Sequence, residues 1–311
     1  MNNDSLRLFE TETLYNEAKP DFVYPTVSYV KDVNSVFYMK KPIPLHNYFY
    51  IEALADGMTV TLNNTIPMDG MDFSITAPAN ELEYSTDQQV WRRLPNNIAS
   101  SAINTGERIY LRGNATSTYD TTKFIMGMGF FNITQSCNIG GNIMSLLFND
   151  DFEDKTDLTG YDAAFGSLFL QQPIVDASEL ILPATTLSMA CYAAMFDSCT
   201  SLTTAPALPA TTLADGCYTG MFRSCTSLRT VHGLPAPVLT DQCYAVMFQH
   251  CSNLSYIKML ATDISAEDCL DSWVTDVSST GTFVKDPALS EDTIGRGTNG
   301  IPLGWTVVDA E

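Results

Sequence analysis

The stretch that decides the fold is Cys-Tyr-Ala-Ala-Met-Phe-Asp-Ser-Cys-Thr-Ser-Leu at residues 191–202, which returns at 217–228 and, with more changes, at 243–254. The repeat length is 26 residues, and no insertion interrupts it. A fixed period of roughly 20 to 50 residues is typical of chains in which each unit buries its apolar face only against the next unit. The sequence therefore predicts stacked coils that present a continuous surface.

Within one repeat, the residue pattern predicts a helix followed by a strand. Apolar side chains at positions 187, 191, 194, 195 and 196 recur at helical spacing, which predicts a helix over residues 187–196. The β-branched run at residues 202–205 is followed by Pro206 and predicts a short strand. Each coil is thus expected to contain one helix and one strand.

The amino-acid sequence of the repeats also resembles that of a known family. The phrases Cys-Thr-Ser-Leu and Leu-Pro-Ala-Thr-Thr-Leu, from about Asp176 to Asp276, closely resemble the BspA-like leucine-rich repeats of bacterial and phage surface proteins. The resemblance implies a short α/β leucine-rich-repeat solenoid of about four to five coils. Residues 164–169 are expected to form a degenerate opening coil, residues 269–274 an altered last coil, and residues 305–308 a closing strand.

The first half of the chain is of a different kind, so we expect a multidomain protein. Residues 1–44 are predicted to be an anchoring segment with a short helix at 11–18 and a β-hairpin from the runs at 22–30 and 36–39. Residues 45–150 are predicted to be an all-β, sandwich or jelly-roll-like module. The predicted solenoid then occupies 151–279, and a C-terminal cap occupies 280–311.

The β module is predicted from short runs separated by turn residues. The candidate strands are residues 48–54, 58–62, 82–85, 90–94, 108–111 and 130–133. A spacing of about ten residues between such runs favours two packed sheets. The phrases at residues 84–87, 106–113 and 140–148 resemble the module that precedes the repeats in the same family.

A second resemblance concerns the N-terminal segment. Residues 24–30, Tyr-Pro-Thr-Val-Ser-Tyr-Val, and residues 36–38, Val-Phe-Tyr, resemble N-terminal segments of virion proteins from crAss-like and related phages of gut bacteria. This resemblance implies attachment to a virion. The residues expected to carry it are Phe22, Tyr24, Val27, Tyr29 and Phe37.

Composition and charge bear on partners and on location. The formal net charge is −20, from 36 acidic and 16 basic residues, which disfavours nucleic-acid binding through phosphate neutralisation. No apolar run is long enough to predict membrane insertion, and the first residues do not read as a signal peptide. We therefore expect a protein made and assembled in the bacterial host cytoplasm and located on the virion surface.

The eight cysteines are predicted to be buried, reduced and structural. On a helix, Cys191 and Cys199 would lie about 12 Å apart, and neighbouring helices pack about 8 to 10 Å apart. A disulfide needs Cα atoms roughly 4.4 to 6.8 Å apart. No Cys-x-x-Cys pair occurs and the three histidines are scattered, so neither a metal site nor a cofactor is predicted.

No catalytic motif is present, so no catalytic residue is predicted and we do not expect an enzyme. Gly-x-Ser-x-Gly is absent, and the glycine pairs lack the rest of a nucleotide-binding fingerprint. The acidic segment at residues 149–157 is interpreted as a solvated connector, with a cation site as the alternative. A glycan-hydrolysing site remains an alternative, because such a site needs only two carboxylates and these leave no motif in the sequence.

Candidate contact residues are those that change between otherwise repeated coils. Asp197, Arg223 and Gln249 occupy one repeat position, and His250 replaces a serine at the next position. These four residues are predicted to contact the host surface. The alternative is that these positions vary because nothing constrains them. Aromatic residues at positions 84, 91, 110, 192, 218 and 244 are candidate glycan contacts, although the repeated tyrosines are expected to pack between coils with their hydroxyls reaching water.

These features lead to one functional hypothesis and its alternatives. We expect a phage virion structural protein, a capsid head fibre or decoration protein, that displays the repeats for host-surface contact. The expected partners are further copies of itself in a homotrimer, capsid protein, and a bacterial surface glycan or protein. The alternatives are a short tail fibre or receptor-binding protein, a bacterial surface adhesin of the same repeat family, and a glycan-degrading module.

Overall fold

The computed structural model describes residues 46–63, 82–114 and 130–311, together with the backbone of five short strands outside those ranges. The chain divides into two compact units, Met1–His46 and Asn47–Glu311. Among the described residues, no helix is long and apolar enough to cross a membrane.

The described residues of the first unit include three short strands, β1 (Leu8–Phe9), β2 (Tyr29–Lys31) and β3 (Phe37–Met39). They form an antiparallel sheet in the order β1-β3-β2, with Tyr29 opposite Met39. The predicted helix at residues 11–18 and residues 22–28 of the first predicted strand lie outside the described residues.

In the part of the second unit that the structure describes, the elements are strands and two four-residue helices. Its elements are β4 (Phe49–Ala53), β5 (Val60–Asn63), β6 (Thr65–Pro67), β7 (Ser74–Thr76), β8 (Leu82–Ser85), β9 (Arg92–Leu94), β10 (Arg108–Gly113), β11 (Phe130–Ile133), β12 (Cys137–Asn142), α1 (Ser145–Phe148), β13 (Ile174–Ile181), β14 (Thr230–Leu234), β15 (Tyr256–Met259), β16 (Thr282–Lys285), α2 (Glu291–Ile294) and β17 (Thr306–Asp309). All six strands predicted for the β module are present.

The module before the repeats is a six-stranded sheet in the order β13-β12-β4-β10-β8-β9, accompanied by the two-stranded sheet β11-β5. Strand β10 alternates between the two sides of the sheet: Ile109 and Leu111 are fully buried, whereas Arg108 and Arg112 point outward. Every pairing in the larger sheet is antiparallel except β12 with β13. Strand β13 therefore joins the module to the repeats.

The predicted α/β leucine-rich-repeat solenoid is wrong, because the segments expected to be helical are not helices. Within the described residues, the only helices are α1 and α2. The repeats instead form five consecutive runs of turns, here called the turn ribbons, at residues 163–171, 190–198, 216–224, 242–250 and 268–276. The fold is therefore almost entirely β and turn.

Alternate amides in a turn ribbon donate in different directions. In the ribbon at 190–198, the amides of residues 190, 192, 194, 196 and 198 donate to carbonyls of residues 215, 217, 219, 221 and 223 at 2.7–3.0 Å. The amides of residues 191, 193, 195 and 197 donate to the carbonyl three residues earlier. Each coil is thus bonded in register to the next one, and the repeats stack. We call residues 157–309 the coil stack.

Each turn ribbon has three residues in the left-handed region, spaced four apart, with φ between 48° and 64°. They are residues 163, 167 and 171; 190, 194 and 198; 216, 220 and 224; 242, 246 and 250; and 268, 272 and 276. A left-handed residue at every fourth position cannot occur inside an α-helix. The period of the ribbon is four residues, with two side chains inward and two outward.

The residues at these positions explain why the chain adopts this conformation. Gly216 and Gly220 supply the left-handed geometry without a steric cost, and the equivalent residues Ala190 and Ala194 are the smallest chiral side chains. The inward pairs, such as Cys191 with Tyr192, repeat every four residues. Over two turns, this pattern is difficult to distinguish from the 3.6-residue period of a helix.

The opposite side of the coil stack is extended backbone. The strand predicted at residues 202–205 is reduced to a single bridge between Asp176 and Thr204. The later coils form the parallel sheet β14-β15-β16-β17. The closing strand predicted at residues 305–308 is confirmed as β17.

One hydrophobic core runs through the second unit. A series of ring contacts, stacked or tilted except for the edge-to-face pair of Trp273 and Phe283, connects Phe49, Phe131, Phe169, Phe196, Phe222, Phe248, Trp273 and Phe283, with successive centroids 5.3–6.1 Å apart. The core includes residues on both sides of the predicted boundary between residues 150 and 151. Trp273 replaces the methionine of the earlier coils and ends two aromatic columns, as its contacts with Tyr244 and Phe248 demonstrate.

All eight cysteines are free and buried, which confirms the predicted thiol ladder. Neighbouring coils are bonded backbone to backbone and are not packed as helices, so the predicted separation of about 8 to 10 Å between equivalent cysteines is wrong. Backbone segments joined in this way lie about 4.7–4.9 Å apart in sheets. The thiols of Cys199, Cys225 and Cys251 donate to phenylalanine carbonyls of the preceding coil at 2.9–3.1 Å.

Replacing Val246 by Asn should stabilise the protein. Val246 is a β-branched residue at φ 48°, and this conformation costs an L-residue about 1–2 kcal/mol, whereas Asn tolerates it. We expect Val246→Asn to raise the free energy of unfolding in urea by about 0.5–1 kcal/mol. The matched control is Val308→Asn in the exposed strand β17, which should give no gain. Equal or lower stability of Val246→Asn would show that the site is unstrained.

The buried thiols should make the fold sensitive to alkali. Burial raises the pKa of five thiols from 9 to about 12: Cys137, Cys191, Cys199, Cys243 and Cys251. Because the folded pKa is raised, the stabilisation is complete below pH 9 and is lost as the pH rises towards 12. Above pH 9 each of these thiols ionises more readily in the unfolded chain, so we expect the free energy of unfolding to fall progressively between pH 9 and pH 10.5.

The measurement is urea unfolding between pH 8 and pH 10.5, with Cys251→Ala as the matched variant. Removal of one buried thiol should reduce the slope of unfolding free energy against pH by one proton. A stability that stays constant to pH 10.5, or an unchanged slope in the variant, would contradict the buried thiol ladder.

Candidate contact surface

The four predicted host-contact residues lie together at the last corner of the turn ribbons. Two adjacent columns of side chains run along the stack there, and we call them the corner face. Its residues are Asp197, Arg223, Gln249 and Thr275 in one column and Ser198, Ser224, His250 and Asp276 in the other. Three hydrogen bonds of 2.7–2.8 Å, from the amides of residues 198, 224 and 250, fix the columns in register.

Asp197 and Arg223 form an ion pair between neighbouring coils. The Asp197 side chain is only 3% exposed, and the Arg223 side chain is 47% exposed. Asp197 Oδ2 accepts hydrogen bonds from Arg223 Nη2 and, at 3.0 Å, from Arg223 Nε. The hydroxyl of Ser198 donates to Asp197 Oδ1 at 2.9 Å. The guanidinium is therefore held at the surface by a buried carboxylate.

His250 forms the second pair of the corner face. Its Nδ1 lies 2.9 Å from Asp276 Oδ2, and both side chains are at least half exposed. Gln249, between the two pairs, is partly buried. The structure thus brings all four predicted contact residues onto one surface, with the correction that Asp197 acts from beneath it.

The five residues predicted for virion attachment belong to the first unit. Phe22, Tyr24 and Val27 lie outside the described residues. Tyr29 begins β2 and Phe37 begins β3, and the two strands pair antiparallel. The backbone therefore places these two residues on neighbouring strands of one sheet.

The aromatic glycan-contact candidates are largely covered by protein. Tyr192, Tyr218 and Tyr244 are at most 2% exposed and stack on one another at 5.7 and 6.0 Å. The hydroxyl of Tyr192 is buried, with no hydrogen-bond partner among the described residues, so the expectation that it reaches water is wrong. At position 84, the tyrosine is buried and bonded to Ser101.

A network on the outer side of the six-stranded sheet was missed by the sequence analysis. The guanidinium of Arg112 lies 4.0 Å from the centroid of the Trp91 ring and binds Glu83 and Asp150 at 2.9 and 2.7 Å. Arg108 lies in the same way over Tyr50 and binds Glu52. The alternation of Arg108, Tyr110 and Arg112 in one strand was the available signal. The network covers one face of the Trp91 ring, and Tyr110 is partly buried beside Tyr50.

The acidic segment at 149–157 is tied to the sheet through Asp150. Its carboxylate accepts from Tyr48 Oη and from Arg112 Nη1, both at 2.7 Å. Burial, together with this acceptor, raises the pKa of Tyr48 to about 12. Among the described residues, no group of three or more His, Cys, Asp or Glu side chains could hold a metal ion. The cation alternative for this segment therefore gains no support.

Comparison of the chain with protein-family models, with curated proteins and with solved structures finds no match.

Replacing Tyr192 by Phe should stabilise the protein. Leaving a buried polar group without a hydrogen bond costs about 1–3 kcal/mol, and Phe keeps the ring stack. We expect Tyr192→Phe to raise the free energy of unfolding by about 1 kcal/mol. The matched control is Tyr218→Phe in the same column, whose hydroxyl is not a buried orphan. A loss of stability on removing the Tyr192 hydroxyl would reveal a partner for it.

Proposed function

We propose that this protein is a structural component of a phage particle, a capsid head fibre or decoration protein. In this proposal the first unit attaches to the particle and the corner face of the coil stack contacts the host surface. Its role is display and contact, not catalysis.

The display part of the proposal is supported by one observation. Cysteine, methionine, tyrosine and phenylalanine positions that are identical in successive coils are buried, whereas the corner-face positions that differ carry Asp, Arg, Gln and His, of which Arg223 and His250 are exposed. A constant interior with a variable exterior is the arrangement that repeat scaffolds use for binding. Because alternate amides bond the coils in register, the backbone positions that carry these side chains are fixed relative to one another.

The particle part of the proposal is supported by resemblance alone. Residues 24–30 and 36–38 resemble N-terminal segments of phage virion proteins, and the repeats resemble those of bacterial and phage surface proteins. Homotrimers are common among phage fibres, so we also propose a homotrimer, with capsid protein as the attachment partner.

The experiment is density-gradient sedimentation of a phage-producing culture that expresses the full chain, with an antibody against the chain and the major capsid protein as a marker. We expect the chain to band with DNA-filled particles and to label their heads in electron micrographs. Labelling of tails would replace the head fibre by a tail fibre. Recovery with the bacterial envelope and not with particles would overturn the virion assignment and favour an adhesin.

A further inference from the structure

We propose that the part of the corner face around Arg223 and His250 binds a neutral saccharide through adjacent hydroxyl groups. This inference rests on the proposed contact function and names the class of ligand that this surface takes.

The buried carboxylate of Asp197 is the first argument. A carboxylate that is 97% removed from solvent carries a large desolvation cost unless it is paired. The fold does not require a carboxylate at this position, because the equivalent residues in the following coils are Arg223, Gln249 and Thr275. Asp197 accepts hydrogen bonds from Nε and Nη2 of Arg223. Asp197 is therefore a positioning residue for the guanidinium at the surface.

The geometry of this pair leaves part of the guanidinium available. Arg223 Nη1 has no partner among the described residues, and the side chain is half exposed. Because the group is planar and its other edge is fixed, the remaining donors point in a set direction. A ligand therefore meets a rigid donor that has already lost its rotational freedom.

His250 supplies a second fixed group on the adjoining coil. Asp276 engages its Nδ1, so Nε2 lies on the far edge of the ring. The amide of Ser224, the residue after Arg223, donates to the carbonyl of Gln249, the residue before His250, at 2.8 Å. Arg223 and His250 therefore lie on adjoining coils whose backbones are about one strand spacing apart, and the partly buried Ser224 and Gln249 lie between the two pairs.

Charge decides the class of ligand. Residues 151–311 contain 20 Asp and Glu against six Lys and Arg, so the field around the corner face is negative. Arg223 and His250 are each matched by their own carboxylate, which leaves no net positive charge to attract an anion. A neutral sugar with adjacent hydroxyls both donates and accepts, and this complements a surface that offers the Arg223 guanidinium as a donor, the exposed Asp276 carboxylate as an acceptor and a ring nitrogen of His250.

The experiment measures binding of the full chain to polysaccharides by calorimetry, with each titration carried to saturation. The neutral polysaccharides are dextran, mannan and galactan, and polygalacturonate is the acidic comparison. The test variant is Asp197→Thr with Arg223→Thr, because Thr is the natural residue at equivalent position 275 and no buried charge is left unpaired. A second variant is His250→Ser, after Ser198 and Ser224. The matched control is Arg229→Ser, an exposed arginine of the same repeat outside the corner face.

We expect at least one neutral polysaccharide to bind, and each test variant to weaken that binding by tenfold or more. The thermal midpoints of the variants should stay near that of the parent, and Arg229→Ser should bind normally. Binding of polygalacturonate alone, binding of none of the neutral polymers, or equal loss in the control would overturn the proposal. Neutral binding by a chain that does not sediment with phage particles would leave the saccharide site intact and refute only the virion assignment.

Discussion

The structure depends on where the backbone amides of the turn ribbons find their acceptors. A buried amide without an acceptor is costly, so every amide must be paired. Here the amides alternate between a carbonyl three residues earlier and a carbonyl one coil away, as in Met195 to Tyr192 and Phe196 to Met221. The first kind shapes the ribbon and the second binds the coils, so neither the ribbon nor the stack is complete without the other.

The interior follows from this register. Because the coils are bonded residue by residue, identical side chains meet identical side chains, and the columns of phenylalanine, tyrosine and cysteine are a direct result. The same packing continues into the β module through Phe169, Phe131 and Phe49. The module therefore closes one end of the stack, and Trp273 with the last coil closes the other. The side chains of the corner face differ from coil to coil, and this allows the buried Asp197 to pair with Arg223 on the next coil.

Much of this arrangement could be predicted from the sequence, and one part could not. The 26-residue period, the buried cysteines and the six module strands follow from repeat spacing and apolar patterning. The turn ribbons were predicted to be helices because a pair of inward side chains every four residues is compatible with both a turn ribbon and an α-helix. Gly216 and Gly220, four residues apart inside the predicted helix, were the available signal. Opposite charges one period apart, at positions 197 and 223, could likewise have indicated the ion pair, although not the burial of its carboxylate.

The alternating amide pattern is the central claim, and through-hydrogen-bond couplings in a deuterated NMR sample test it most directly. The account predicts a coupling from the amide nitrogen of Tyr192 to the carbonyl carbon of Cys217, and from Ala194 to Thr219, with no coupling from Tyr192 to Ser188. Couplings from Tyr192 to Ser188 and from Ala194 to Ala190 would instead establish a helix in each repeat and contradict the account.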